Sequence, residues 1–251
     1  MRQPVPAAAL ALACALVPIA TPFAAARHAV HGRAAAQGYS RAAERVLTQA
    51  RNASGGEGWT MLRGWHEAGH VNGSPYEAWF DPIRLGMRVE TRDSGGGKHV
   101  HGFNGQGDWQ ILPDGTSRDN NDPAGIARTR AEAFFGSAGY YHRSRFDAQG
   151  ELLGVRSAGG RSFDVVSVKP WGGAPRELWF DRTTHLLARA VDRGGPKPVT
   201  WQFSDYRRVG PVKVAFRIVT EGGDSPGDLR LDSVVFAPVD RALFSLPRTE
   251  P

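Results

Sequence analysis

Glu77-Ala78-Trp79-Phe80-Asp81 returns one hundred residues later as Glu177-Leu178-Trp179-Phe180-Asp181, and each copy runs into a turn and a further apolar stretch. Side chains alternate faces along a strand, so Ala78 and Phe80, or Leu178 and Phe180, point one way while Glu, Trp and Asp point the other. Asp81 and Asp181 open the turns, where a carboxylate can bond the backbone two residues on; Pro82 presets the next φ in the first copy. Two like hairpins predict an antiparallel β-structure. A Trp repeated on the polar side of each suggests a half-wet, half-apolar face such as the wall of an open cavity, or an indole that merely covers a neighbouring strand.

Outward from these copies, the pattern continues as strands. Trp59 to His70, Ser74 to Asp81 and Arg84 to Arg92 are separated by Asn72-Gly73 and Asp81-Pro82, and Lys98 to Phe103 and Asp108 to Leu112 complete a meander. Before them, Ala43, Val46, Leu47 and Ala50 fall at helical spacing behind Ser40, with Gly55-Gly56 as a stop. Asp122-Pro123 supplies an N-cap and first helical position for a second helix ending at Gly136, with Phe134-Phe135 at its end and Tyr140-Tyr141 just beyond. Seven strand-like segments follow between Leu152 and Phe236. Helix, five strands, helix and about seven strands predict a mainly β fold with some α: an antiparallel, half-open β-barrel of about 11–12 strands with helices across its mouth.

Residues 1–26 read as a secretory signal: Arg2 as positive start, an apolar stretch from Ala7 to Ala20, and Phe23-Ala24-Ala25-Ala26 as a small-residue cleavage site. A flexible leader over 27–38 and a single domain over 39–248 are expected, in a soluble protein exported to the periplasm. Ala11-Leu12-Ala13-Cys14 resembles a lipoprotein box, but the apolar run continues past Cys14, which argues against lipidation there. Cys14 is the only cysteine, so a chain cut after Ala26 has neither disulfide nor thiol chemistry.

The formal net charge of +6 is carried mostly by scattered arginines, with lysine only at Lys98, Lys169, Lys197 and Lys213. No basic run or nucleic-acid motif occurs, which excludes nucleic acid as the expected partner. An arginine-rich exterior would favour anionic partners such as lipid headgroups and permits transient contact with a membrane surface.

His66-Glu67-Ala68-Gly69-His70 spells the H-E-x-x-H pattern of zinc peptidases, in which two histidines on one helical face hold Zn²⁺ and the glutamate is general base. Gly64, Gly69 and Gly73 leave too little uninterrupted sequence for such a helix, and Tyr76 stands where the extended pattern needs a ligand. In a strand the imidazoles lie about 13 Å apart at roughly 3.3 Å per residue, too far to share one metal. Asp93-Ser94-Gly95 matches the aspartic peptidase triplet, but Gly96-Gly97 make it a hairpin turn. His142 and His185 read as polar strand residues. No catalytic residue, metal site or cofactor is expected.

Gly55-Gly56-Glu57-Gly58-Trp59, Gly102-Phe103-Asn104-Gly105 with Trp109, Phe163-Asp164-Val165-Val166, the Glu177 to Arg189 hairpin, and Ser204-Asp205-Tyr206-Arg207 with Val209-Gly210 resemble the LolA/LolB-like region found N-terminal in exported bacterial aspartyl protease family proteins. The resemblance runs from about Ala42 to Pro247. It implies a half-open barrel whose concave apolar face receives acyl chains, and it implies no catalytic residue, because this sequence stops at Pro251 where those proteins continue into a peptidase domain. The expected function is binding of a lipid or other hydrophobic ligand, with lipid or lipoprotein handling at the cell envelope. The alternative is a filled barrel acting as a non-catalytic interaction module for an envelope protein partner. Trp65, Trp79, Trp109, Phe134, Phe135, Trp179 and Phe203 are the candidates for the cavity or its lid.

Overall fold

The computed structural model describes residues 38–119, 121–195, 197–223 and 226–247; the signal segment, the leader as far as residue 37 and the end of the expected domain lie outside them. One antiparallel sheet of 13 strands organises the chain. The first meander comprises β1 (Trp65–Val71), β2 (Ser74–Asp81), β3 (Gly86–Arg92), β4 (Lys98–Asn104), β5 (Asp108–Ile111) and β6 (Ser117–Asp119). The second comprises β7 (Ala148–Ala158), β8 (Arg161–Pro170), β9 (Arg176–Asp181), β10 (Leu187–Asp192), β11 (Val199–Val209), β12 (Val212–Gly222) and β13 (Gly227–Phe236). Within each meander, neighbours in sequence are neighbours in space, and β1 pairing with β13 joins the two meanders. β6 and β7 are left as opposite edges, so the barrel is half-open.

That topology dictates where the helices go. The chain leaves the sheet at β6 and re-enters at β7, so α3 (Pro123–Gly136) and the 3-10 turn Gly139–Tyr141 must bridge the opening. Asp122 caps α3 by accepting from the N–H groups of Ala124 and Gly125. α1 (Arg41–Ser54) starts at Ser40, whose hydroxyl accepts from Ala43 N–H, and buries Ala43, Val46, Leu47 and Ala50, the spacing read from the sequence. The backbone around Tyr39 bridges Gly150 and shields that edge of β7 from strand pairing.

Two differences from the sequence reading have simple causes. The segment read as a strand from Trp59 is a short helix, α2 (Gly58–Met61), and the strand begins only at Trp65. The backbone at Gly55 (φ +140°) and Gly58 lies so close to Pro211 that a Cβ at either would sit 2.7 Å from it, and the chain turns there instead of extending. β6 was not anticipated because Ser117-Arg118-Asp119 is fully exposed and carries no apolar alternation.

The two Glu-x-Trp-Phe-Asp copies fold alike. Asp81 accepts from the N–H groups of Ile83 and Arg84, Asp181 from those of Thr183 and Thr184, and the fifth residue of each turn, Leu85 or His185, takes a left-handed φ of 59° or 57°. His185 is therefore a turn residue, and His142 is a buried residue ending the 3-10 turn; neither lies in a strand.

The faces divide cleanly around these copies. Ala78, Phe80, Leu178 and Phe180 pack inward with Val166, Val168 and Phe134 in the main core. Trp79 and Trp179 face the other way, so they are not part of the cavity wall suggested by the sequence. Phe163, Val165, Trp179 and Val191 form a separate outer cluster.

Candidate functional site

Between the concave face of the sheet and the helices lies a cavity of about 540 Å³. Its apolar wall is supplied by inward positions of the strands, among them Phe80, Met87, Val89, Leu178, Leu187, Ala190, Trp201, Phe203 and Ile218. Phe135, Tyr140 and Tyr141, from the end of α3 and the turn after it, close it from the helical side, with Trp59 of α2. The inner ends of α3 and the 3-10 turn are aromatic because they lie over this space.

Seven aromatic residues were expected here, and the structure separates them. Phe135 and Phe203 line the cavity. Trp65 is buried beside it, packed against Phe80 (5.2 Å between ring centroids) and Phe236 (6.1 Å). Phe134 is wholly buried behind Phe135, in an edge-to-face contact at 5.1 Å. Trp79 stacks on His66 on the outer face, and Trp109 lies beneath the 3-10 turn Arg241–Phe244, donating its indole N–H to the Phe244 carbonyl at 2.8 Å. A Cβ at Gly102 would fall 2.1 Å from the Trp109 ring, so the glycine is needed for that indole to lie across β4. Trp179 sits outside between Phe163, Arg156 and Arg189. Alternation along the strand is the reason for Trp79 and Trp179: Ala78, Phe80, Leu178 and Phe180 face inward, so these two indoles face out, near guanidinium groups.

Two groups of polar side chains interrupt the apolar wall, and Lys213 of β12 lies on it as well. On β1 and β2, Glu67 points inward, accepting from the Trp65 indole N–H at 3.1 Å and facing the Tyr76 hydroxyl at 3.5 Å. Burial pushes the Glu67 carboxyl up to about 7, although both hydrogen bonds pull it the other way. The same burial, with the Glu67 charge beside it, raises Tyr76 well above the usual phenol range. Among the described residues Glu67 has no ion-pair partner; the imidazole of His66 turns outward to Glu77 at 2.9 Å, and that of His70 to Asp232 at 3.0 Å. The H-E-x-x-H residues are therefore split between the two faces of a strand, and among the described residues no cluster of His, Cys, Asp or Glu is arranged to hold a metal.

The second polar place lies where β4, β5, β9 and α3 meet. His101 contacts Asp108 at 2.7 Å and Glu132 more loosely at 3.9 Å. Burial alone would depress its pKa, but the Asp108 hydrogen bond and the two carboxylate charges outweigh that and raise it. Arg176 is buried between the rings of Phe135 (4.7 Å) and Trp201 (4.4 Å), paired with Asp192 at 3.3 Å. Burial pulls its pKa down against the opposing charges of Glu132 and Asp192. His101 and Arg176 were not singled out from sequence as site residues, and Glu67 was considered there only as the general base of the zinc peptidase pattern. The legible signal for Glu67 was its parity: it shares a strand face with Trp65, so a charge had to point into the apolar side.

No family profile matches the chain, and no curated protein matches its sequence. Solved structures do. The LolA superfamily protein NE2245 from Nitrosomonas europaea superposes with a TM-score of 0.54 at 12% identity, covering 81% of this chain and 97% of that one. A DUF1329 family protein from Desulfovibrio piger matches with a TM-score of 0.49 at 12% identity, over 81% of this chain and 97% of that one. An outer membrane lipoprotein-sorting protein domain from Vibrio parahaemolyticus gives 0.49 at 13% identity, over 76% and 91%. The open 13-stranded sheet with helices over its concave face is thus a LolA-like fold.

Proposed function

We propose that this chain is a non-enzymatic binding protein that takes up a lipid or another hydrophobic ligand in the cavity of its half-open barrel. The cavity itself carries the reading: about 540 Å³, within the range of about 300–1,000 Å³ usual for small-molecule sites, with more apolar than polar surface on its wall. A filled barrel serving only as an interaction module would leave no such space. Removing acyl methylenes from water is worth about 0.8 kcal/mol each, so a dozen supply roughly 10 kcal/mol before ordering costs. The LolA-like fold supports the reading, and the signal-like N-terminus supports work in the periplasm, in lipid or lipoprotein handling at the envelope.

Native mass spectrometry of gently purified protein, with solvent extraction of what it carries, tests this directly. Bound lipid, or uptake of the fluorescent apolar probe N-phenylnaphthylamine by the delipidated protein, is the expected result. Protein that is always empty and ignores the probe would overturn it.

A further inference from the structure

The cavity contains an acid, Glu67, that forms no ion pair among the described residues. Glu67 sits on the inner face of β1, and both neighbours within reach are donors: the indole N–H of Trp65 at one oxygen and the hydroxyl of Tyr76 at the other. Two donors aimed at two carboxylate oxygens suit the ionised form, which accepts and cannot donate. An ionised carboxylate in apolar surroundings is costly unless a cation stands beside it. β13, paired to β1 on the other side, presents Leu231 and Val234 near it, both apolar and buried. The other charged or titratable groups on the cavity wall are Lys213 on β12, His99 and His101 on β4, Glu132 on α3 and Arg176 on β9, together with Tyr140, Tyr141 and Tyr206. No ion pair links any of them to Glu67 among the described residues, and His101 and Arg176 already face Asp108 and Asp192.

We propose that Glu67, held by Trp65 and Tyr76, is the recognition point for the protonated amine of an amphiphile whose hydrocarbon body fills the cavity. The inference rests on the cavity reading and adds to it the chemical class of the head group. A primary ammonium supplies the missing charge and up to three N–H donors for the lone pairs that Trp65 and Tyr76 leave free. Inside an apolar cavity such a charge-assisted hydrogen bond discriminates more strongly than in water. Such an amine can come from an amine-headed phospholipid or from a free long-chain amine.

The decisive measurement compares dodecylamine, dodecanol and dodecanoate, which share one chain length, by displacement of N-phenylnaphthylamine at pH 5.5 and pH 8. At pH 8 dodecylamine is expected to bind at least tenfold more tightly than dodecanol, and dodecanoate more weakly than either. The amine's advantage shrinks at pH 5.5, because Glu67 is then largely protonated while the amine keeps its charge. In Glu67→Gln the advantage disappears at both pH values, and a circular dichroism spectrum and cooperative melting like those of the parent show that the variant is folded. Lysophosphatidylethanolamine against lysophosphatidylglycerol of equal chain then separates the sources: a Glu67-dependent preference for the former identifies a lipid headgroup, and its restriction to dodecylamine identifies a free amine. Dodecanol bound as tightly as dodecylamine at pH 8, an advantage that survives in Glu67→Gln, or tighter binding of dodecanoate would each overturn the proposal and leave the cavity reading intact. Failure of all three ligands and of the probe would overturn both.

Discussion

His66 and Trp79 stack face to face on the outer surface of the barrel, their rings 4.6 Å apart and inclined by 12°. They are directly paired residues of β1 and β2, so both point away from the cavity, and the Arg88 guanidinium lies 6.0 Å from the indole. One contact thus removes a histidine from the zinc-like motif and a tryptophan from the ligand wall.

Outer and inner aromatics should therefore separate experimentally. Trp79→Ala, at a half-buried site, is expected to cost about 1–2 kcal/mol of stability, and Trp179→Ala, at a buried one, about 3 kcal/mol. Neither should change the affinity for an apolar probe. Phe203→Ala is expected to weaken probe binding several-fold because its ring bounds the cavity. Urea unfolding and probe titration on the same preparations check both halves, and loss of binding in Trp79→Ala would contradict the assignment of faces.

Filling the cavity should block it. Val89 lies half-buried on the inner face of β3, opposite Ala78 of β2, and borders the open space. Val89→Phe places its extra atoms there, so stability should change by less than about 2 kcal/mol while probe affinity falls at least tenfold. Equilibrium titration with N-phenylnaphthylamine measures it.

The half-buried Glu67 and the buried His142 give opposite pH dependences. Glu67 has its pKa raised from 4.5 to about 7 by burial, so the unfolded chain ionises first and stability falls as pH rises between those values. His142 is lowered from 6.5 to about 4, chiefly by burial and then by the charges of Arg145 and Arg51. The unfolded chain there takes up its proton first, so stability is lost as pH falls from 6.5 towards 4. Each effect is on the order of 2–3 kcal/mol, and together they nearly cancel between pH 4.5 and 6.5. Glu67→Gln should unmask a stability that rises with pH and be more stable than the parent by about 2–3 kcal/mol at pH 8. His142→Gln should unmask one that falls. Melting temperatures of the three ligand-free proteins across pH 4.5 to 8 test the slopes, whatever the absolute cost of the histidine change.

The turn carboxylates are a matched pair. Asp181 is buried, accepts from two backbone N–H groups and the Thr184 hydroxyl, and meets Arg161 at 2.9 Å. Its pKa lies below the usual carboxylate range because these contacts outweigh the opposing effect of burial. Asp181→Ala should cost about 2–3 kcal/mol by leaving those N–H groups without a partner, and Asp181→Asn, which keeps the acceptor, clearly less. Denaturant midpoints of the two variants measure the difference; equal costs would show that charge rather than the hydrogen-bonded turn matters.

What could be read directly was whatever depends on neighbours in the chain. The repeated Glu-x-Trp-Phe-Asp hairpins, the Ser40 and Asp122 caps, the glycine stops and the period-2 alternation define helices, turns and most strands, because backbone geometry and local hydrogen bonds set them. Exposed β6 escaped, since three polar residues leave no pattern, and α2 escaped because its cause is the close approach of Pro211 from far along the chain. Which face became the inside was decided only when β1 met β13 and α3 was forced across the gap between β6 and β7. Alternation says that Trp79 and Phe80 lie on opposite sides, but not which side the helices will cover. That choice put the indoles of Trp79 and Trp179 outside, drew Glu67 and Arg176 inside from strands far apart in sequence, and left a space between sheet and helices that no stretch of residues encodes alone.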